Sequence, residues 1–160
     1  VTVPLPELKQ PPALPAELRA CTAYLLARVG SAIKLAAVEE FERAGFSLYQ
    51  YSVLAVLGEG ARETQATIAD GLKLDRGSLV GVLDGLEGAG LIERRRDQID
   101  RRRHTVSLTP AGNKRLVEMR AIVQRIEDSF LEPLDSSART ALHDALLLVA
   151  ANNDGRFQQP

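Results

Sequence analysis

Cysteine, methionine and tryptophan are nearly missing from this chain: its 160 residues hold one Cys, one Met and no Trp, with four Phe and three Tyr as the whole aromatic complement. A single thiol, Cys21, excludes an internal disulfide and any cysteine-rich metal site, and it fits a reducing compartment. No segment joins a basic stretch to an apolar run of signal-peptide length. Nor is there an uncharged apolar span of the roughly 18 residues that would suggest a membrane helix. The expectation is a cytoplasmic protein with no membrane partner. Proline is scarce outside residues 1–15, which hold five of the eight (Pro4, Pro6, Pro11, Pro12, Pro15). That opening segment reads as an extended arm, because proline lacks the N–H that helices and sheets need.

The parts of an enzyme are also missing. His104 stands among arginines and His143 stands alone, with no HExxH, no glycine-rich phosphate loop and no GxSxG. The reading is a non-enzyme without metal or cofactor. Charge of one sign is missing overall, since the net charge is −1, so electrostatics must act locally. Residues 94–103 (RRRDQIDRRR) carry six Arg against Asp97 and Asp100, leaving the remainder of the chain acidic. An acidic body with one basic protrusion grips a polyanion at the protrusion and repels it elsewhere.

What is present in quantity is helical patterning. The apolar fraction is 45%, rich in Ala, Leu and Val, which favours a mainly α protein of one domain with a helical extension. Apolar residues recur at helical spacing from Ala16 to Ala44, predicting one long helix stopped by Gly45. Ser47 caps a helix to Gly58, Thr64 opens a short helix and Asp75 caps the next, which runs to Gly88 or Ala89. Two short helices about three residues apart resemble a helix-turn-helix. Leu91–Arg96 and Arg103–Leu108 then form a β-hairpin. Thr109-Pro110 starts a long helix ending near Pro133, and Ser136 or Ser137 starts a last one to about Asn152.

The expected architecture is mainly α with a small β-hairpin wing. Residues 1–15 form a proline-rich arm, 16–46 and 110–153 a helical dimerisation region, 47–109 a winged helix-turn-helix module, and 154–160 a frayed tail. The terminal helices carry more apolar surface than the middle could cover, so a second copy is expected against them. An arginine held at the hairpin tip suits a narrow minor groove, and Arg102 is the first choice. Arg101, Arg103, Arg95 and Arg96 suit phosphates, while strand alternation turns at least one of Arg94, Arg95 and Arg96 into a structural ion pair.

On the helix after Asp75, Leu79, Val82, Leu83 and Leu86 form the buried stripe. Gly77, Val80, Gly81, Asp84, Gly85 and Gly88 face the other way. Arg76 and Ser78 are left as polar readers, with Val80 available to a thymine methyl and the backbone at Gly77 and Gly81 open to close approach. Thr64, Gln65 and Thr67 could bind phosphate, or could only cap their helix. Four glycines in one helix weaken it, and close packing within the protein or close approach to DNA would each compensate.

The compound pattern Leu86-Glu87-x-x-Gly90-Leu91-Ile92-x-Arg94, then Asp100-x-Arg102, then Val106-x-Leu108-Thr109-x-x-Gly112 resembles the MarR family of winged helix-turn-helix transcription regulators, over about Leu18 to Asn152. The resemblance implies a homodimeric regulator, of the repressor kind, on a pseudo-palindromic double-stranded DNA. It also implies that Asp100 holds the Arg102 side chain in place. Readers that the family places near Val80, Gly81 and Gly85 have no counterpart here. The resemblance further implies release by a small aromatic or phenolic effector, with Tyr24, Phe41, Tyr49 and Tyr51 as candidate pocket residues. Aromatics at helical spacing are also ordinary core residues. Two other readings stay open: an organic-peroxide sensor of the OhrR branch using Cys21, and a helical protein-interaction module that does not bind DNA.

Overall fold

Side-chain caps fix where most of the central helices begin. The computed structural model describes residues 13–59, 63–96 and 104–157, with only the backbone of Glu63 and His104. The elements in chain order are α1 (Ala16–Ala20), α2 (Thr22–Arg43), α3 (Leu48–Gly58), β1 (Glu63–Thr64), α4 (Gln65–Leu72), α5 (Arg76–Gly88), β2 (Ile92–Arg96), β3 (His104–Leu108), α6 (Pro110–Phe130), α7 (Ser136–Asn153) and a 3-10 turn at Gly155–Phe157. Ser47 and Gln50 make a reciprocal capping box at α3, and Thr64 and Thr67 make one at α4. Asp75, Thr109 and Asp135 each accept from a first-turn amide of α5, α6 and α7. Each cap satisfies amides that the helix itself leaves unpaired.

The chain divides into two units, Val1–Lys34 and Leu35–Pro160. In the first, the single helix expected from Ala16 to Ala44 is interrupted. Cys21 takes extended dihedrals (φ −87°, ψ 104°) between α1 and α2, and its amide turns back to Leu18 O. Helical spacing of apolar residues does not report such a one-residue break, because the periodicity resumes in phase after it. Cys21, Leu25, Leu26 and Val29 of this unit are exposed.

The second unit holds the core. Phe41, Val53, Leu54, Ile68, Leu83, Leu86, Val106 and Met119 are all fully buried, bringing α2, α3, α4, α5, β3 and α6 around one apolar centre. Burial of each such side chain contributes roughly 1.5–3 kcal/mol. The expected hairpin forms, but with Ile92 opposite Leu108 and Arg96 opposite His104 its register is one residue away from end-to-end matching of Leu91–Arg96 with Arg103–Leu108, because β2 starts at Ile92. A short third strand, β1, adds to its other edge, so the sheet order is β1-β3-β2. Two residues are too few for an alternation signal, which is why the sequence pattern does not show β1.

Two glycines close helices where φ is positive, Gly45 (78°) after α2 and Gly90 (70°) after α5. Lys73 (51°) takes the same left-handed conformation at the end of α4 without glycine's freedom. Of the segment expected to fray, residues 154–157 are structured, and residues 158–160 lie outside the described residues. Asp154 receives hydrogen bonds and Gly155–Phe157 forms a 3-10 turn, tied to the end of α4. Helix α7 buries no residue, and Leu146, Leu148 and Val149 on it are exposed, Leu148 to 74%.

Candidate nucleic-acid interface

Helices α4 and α5 are joined by Lys73, Leu74 and Asp75 alone, so this short turn sets the direction of α5. The inner face of α5 carries Leu79, Leu83 and Leu86, all buried. Val82, expected in the same stripe, is only half-buried because it borders a cleft. Gly77, Val80, Gly81, Asp84, Gly85 and Gly88 are exposed together on the outer face. Polar side chains are sparse there, and one of them is already engaged: Ser78 Oγ donates to Asp75 Oδ2 at 2.5 Å while Ser78 N donates to Asp75 Oδ1 at 2.9 Å. The hydrogen bonds from Ser78 hold the Asp75 carboxyl below the usual aspartate range. Arg76 is exposed at the first turn of α5.

Of the four glycines of α5, only Gly77 is in a tight place, where a Cβ would stand 3.3 Å from Asp75 Oδ1; close packing does not explain the other three. A Cβ built at Gly81 or Gly88 meets nothing within 4 Å, and one at Gly85 meets only Gln50 Nε2 at 3.8 Å. Gly81→Ala is therefore expected to stabilise the fold by about 0.8–1 kcal/mol, the ordinary helix-propensity gain. The same methyl is expected to weaken duplex binding, because it stands on the exposed face. Thermal melting and a duplex titration of the one variant check both signs.

The wing is locked to α5 from below. Arg94 Nε donates to Glu87 Oε2 at 2.9 Å, and Arg94 Nη2 reaches Glu87 Oε2 at 2.5 Å and Asp84 Oδ1 at 2.6 Å. Of the three consecutive arginines of β2, Arg94 is thus the structural one, facing α5 on the same side of the strand as buried Ile92. The Arg94 hydrogen bond holds the Glu87 carboxyl below its usual range, and the two carboxylates raise the Arg94 guanidinium. A carboxyl lowered in the folded state stabilises the fold fully above the ordinary glutamate range, and that contribution is lost as pH falls from there through the lowered folded-state value. Arg94→Ala is expected to lower the melting temperature by a few degrees at neutral pH and by less at pH 3, a difference that melts at the two pH values measure.

On the opposite face of β2, Arg95 pairs with Glu93 at 2.9 Å and stays 71% exposed. Arg96, at the end of β2 on the Arg94 side, is exposed. Arg95 and Arg96 are therefore the described cations of the wing that remain open to phosphate. Asp100, Arg101, Arg102 and Arg103 lie outside the described residues. At the start of α4, the Thr64 and Thr67 side chains cap each other's backbone amides, Thr67 Oγ1 also donates to Thr64 O at 2.8 Å, and Gln65 is half-buried. Both threonines thus cap α4.

A cleft of about 600 Å3 opens beside this surface. Glu42, Phe46, Tyr49 and Gln50, from the α2–α3 corner, line it together with Ser78, Gly81 and Val82 of α5. The recognition surface and the cleft thus share α5 residues.

The sequence profile of the MarR family matches residues 46–104, the stretch from the start of α3 to the start of β3. The solved structure of the transcriptional repressor CouR bound to a 23-mer DNA duplex is 32% identical, covers 84% of this chain and 96% of its own, and superposes with a TM-score of 0.74. The chain belongs to the MarR family. CouR from Rhodococcus jostii RHA1 bound to p-coumaroyl-CoA is 26% identical over 83% of this chain and 94% of its own, with a TM-score of 0.68. A candidate transcriptional regulatory protein for the hcr operon of Thauera aromatica is 31% identical over 68% of this chain and 69% of its own.

As a MarR-family transcriptional regulator, the chain has a winged helix-turn-helix made of α4, α5 and the β2–β3 wing, which is a DNA-binding module. Its aromatic residues are distributed unevenly about the cleft. Tyr49 lines it and is 59% exposed. Phe41 is fully buried, its ring 5.3 Å from that of half-buried Tyr51, so these two serve the core. Tyr24 belongs to the N-terminal unit, where it is half-buried, as does the exposed Cys21. Sequence reasoning missed Glu42, Phe46 and Gln50 as cleft residues. The GFS corner that places them is legible only as a helix stop and a cap. No cluster able to hold a metal occurs among the described residues, and no described helix is long and apolar enough to cross a membrane.

Proposed function

We propose that this MarR-family regulator is a homodimeric repressor that leaves its operator when a small aromatic or phenolic ligand enters the cleft beside α5. The observation that carries the reading is that Ser78, Gly81 and Val82 of α5 line that cleft while the neighbouring Val80 and Gly77 stay exposed for DNA. A ligand filling it acts directly on the helix that addresses the duplex. Binding that favours one setting of α5 shifts the population between DNA-competent and incompetent forms. CouR supports the coupling, since it has been solved both with DNA and with p-coumaroyl-CoA.

The exposed apolar residues of α7 (Leu146, Leu148, Val149) and of α2 (Leu25, Leu26, Val29, Leu35) support a second copy as the partner. Two-fold symmetry then asks for half-sites about 10 bp apart centre to centre. On each half-site Arg76 and Val80 address the major groove, Arg95, Arg96, Arg101 and Arg103 address phosphates, and Arg102, positioned by Asp100, enters the minor groove. Because α5 offers few polar readers, DNA shape sensed by the wing carries more of the specificity than base contacts do.

The test is a duplex titration by fluorescence anisotropy over a range of salt concentrations, repeated with simple phenols and hydroxylated aromatic acids. The reading expects a steep fall of affinity with salt, and release of the wild-type protein from the duplex by at least one of these compounds, with more compound needed for Tyr49→Ala protein, which loses an exposed ring of the cleft lining that is not on α5. Salt-independent binding would remove the DNA part of the proposal. Release of Tyr49→Ala protein at the same compound concentration as wild type would remove the cleft.

A further inference from the structure

The end of α7 is fastened to the turn of the helix-turn-helix. Arg156 Nη1 donates to the carbonyl of Gly71 at 2.7 Å, and Lys73 Nζ donates to Asp154 Oδ2 at 3.0 Å. Asp154 and Arg156 fix each other, since Arg156 Nε lies 2.9 and 3.0 Å from the two carboxylate oxygens and Arg156 N donates to Oδ1 at 3.2 Å. One carboxylate therefore gathers two cations that hold the last turn of α4 from both sides, across more than 80 residues of sequence. The Asp154 side chain is only 18% exposed, against 68% for Lys73. Its carboxyl is held far below the usual aspartate range, by Arg156 first and Lys73 second.

Within the fastened segment, Leu74 N donates to Ala69 O at 3.0 Å and Lys73 N to Asp70 O at 3.4 Å, closing α4 by backbone bonds. Lys73 sits at φ 51°, a strained setting for a residue with a Cβ, and only Leu74 and Asp75 separate it from α5. The Gly71 carbonyl is one of the acceptors a helix end leaves unpaired, and Arg156 satisfies it. Asp154 itself directly follows α7, its amide donating to Ala150 O at 2.8 Å. Helix α7 buries no side chain in this chain, so the tie is a polar strut from that helix to the turn rather than the edge of an apolar contact.

We infer that Asp154 is a positioning residue for DNA binding: it holds the Gly71–Lys73 turn, and through it the setting of α5, to the end of the C-terminal helix. Movement of α7 is then felt at the recognition helix by a route separate from the cleft. The inference rests on the DNA-binding reading of α5, and the experiment keeps the two apart.

The full chain is first used to select a duplex from a random pool; a wild-type protein that selects none ends the DNA reading without touching the strut. Asp154→Asn is then compared with Asp154→Glu and wild type on the selected duplex, on a random duplex, and by amide hydrogen exchange without DNA. Loss of one negative charge by itself favours any polyanion. The inference instead expects Asp154→Asn to bind the selected duplex about five- to tenfold more weakly, the low end of ordinary coupling between sites. Random-duplex affinity is expected to be unchanged or slightly raised, with faster exchange at Lys73 and Leu74 and wild-type exchange in α6. Asp154→Glu, which keeps a carboxylate, is expected to recover most of the selected-duplex affinity. Selected-duplex affinity equal to or above wild type in Asp154→Asn, or an equal fall on both duplexes, overturns the inference. So does Asp154→Glu behaving as Asn.

Discussion

Gly112→Ala is expected to lower stability by about 3 kcal/mol or more, at the upper end of what overpacking a tight site costs. In a chain of this size that corresponds to a fall of roughly 6–12 °C in melting temperature. A Cβ at Gly112 would stand 1.9 Å from the carbonyl oxygen of Leu91 and 3.2 Å from Leu108 Cδ2. The first neighbour is backbone, so it cannot swing aside as a flexible side-chain end would. The Leu91 oxygen also accepts from Thr109 N at 3.0 Å and from Thr109 Oγ1 at 3.2 Å, and Thr109 Oγ1 in turn caps α6 through Gly112 N at 3.0 Å. Moving α6 away to make room therefore breaks the cap and the anchor at once. Because Leu91 leads into β2 and Thr109 follows β3, the strain falls on the base of the wing. Melting of Gly112→Ala beside Gly81→Ala is the informative pair, since the first meets backbone and the second open space.

Arg102→Ala is expected to weaken binding of the preferred duplex by ten- to a hundredfold, of the order of losing one well-placed contact of about 1–3 kcal/mol. Discrimination between preferred and random duplex is expected to shrink with it. Arg96→Ala, removing an exposed cation assigned to phosphate, is expected to weaken both duplexes alike and reduce the salt slope by about one. The contrast follows from the surface of α5. With Ser78 tied to Asp75 and four glycines along the helix, few side chains remain to read bases, so the proposal assigns a correspondingly larger share to Arg102. Anisotropy titrations of the two variants on both duplexes separate the roles.

Local chemistry was readable in the sequence where it depends on neighbours within a few residues. Ser47, Thr64, Asp75 and Thr109 cap the helices they were expected to cap, and the glycine-rich side of α5 is the exposed side. The hairpin itself was readable from the two strand-like runs, while its register was off by one, since partial alternation does not fix which residue opens β2. The ties made between different elements were not readable. Glu87 and Arg94 are seven residues apart, on a helix and a strand separated by a turn, so no helical or strand spacing pairs them. Asp154 meets Lys73 only because the chain returns to the helix-turn-helix after α7. The aromatic residues show the same division. Helical spacing does not distinguish Phe41, which is in the core, from Tyr49, which lines the cleft.

The account stands most directly on selection of bound duplexes from a random pool by the wild-type chain. It predicts a pseudo-palindrome with half-site centres about 10 bp apart, and flanking positions enriched in A·T, where a narrow minor groove receives the wing. Enrichment confined to the major-groove steps with flanks left random would contradict the assignment of specificity to the wing. Failure to enrich any duplex would contradict the account as a whole.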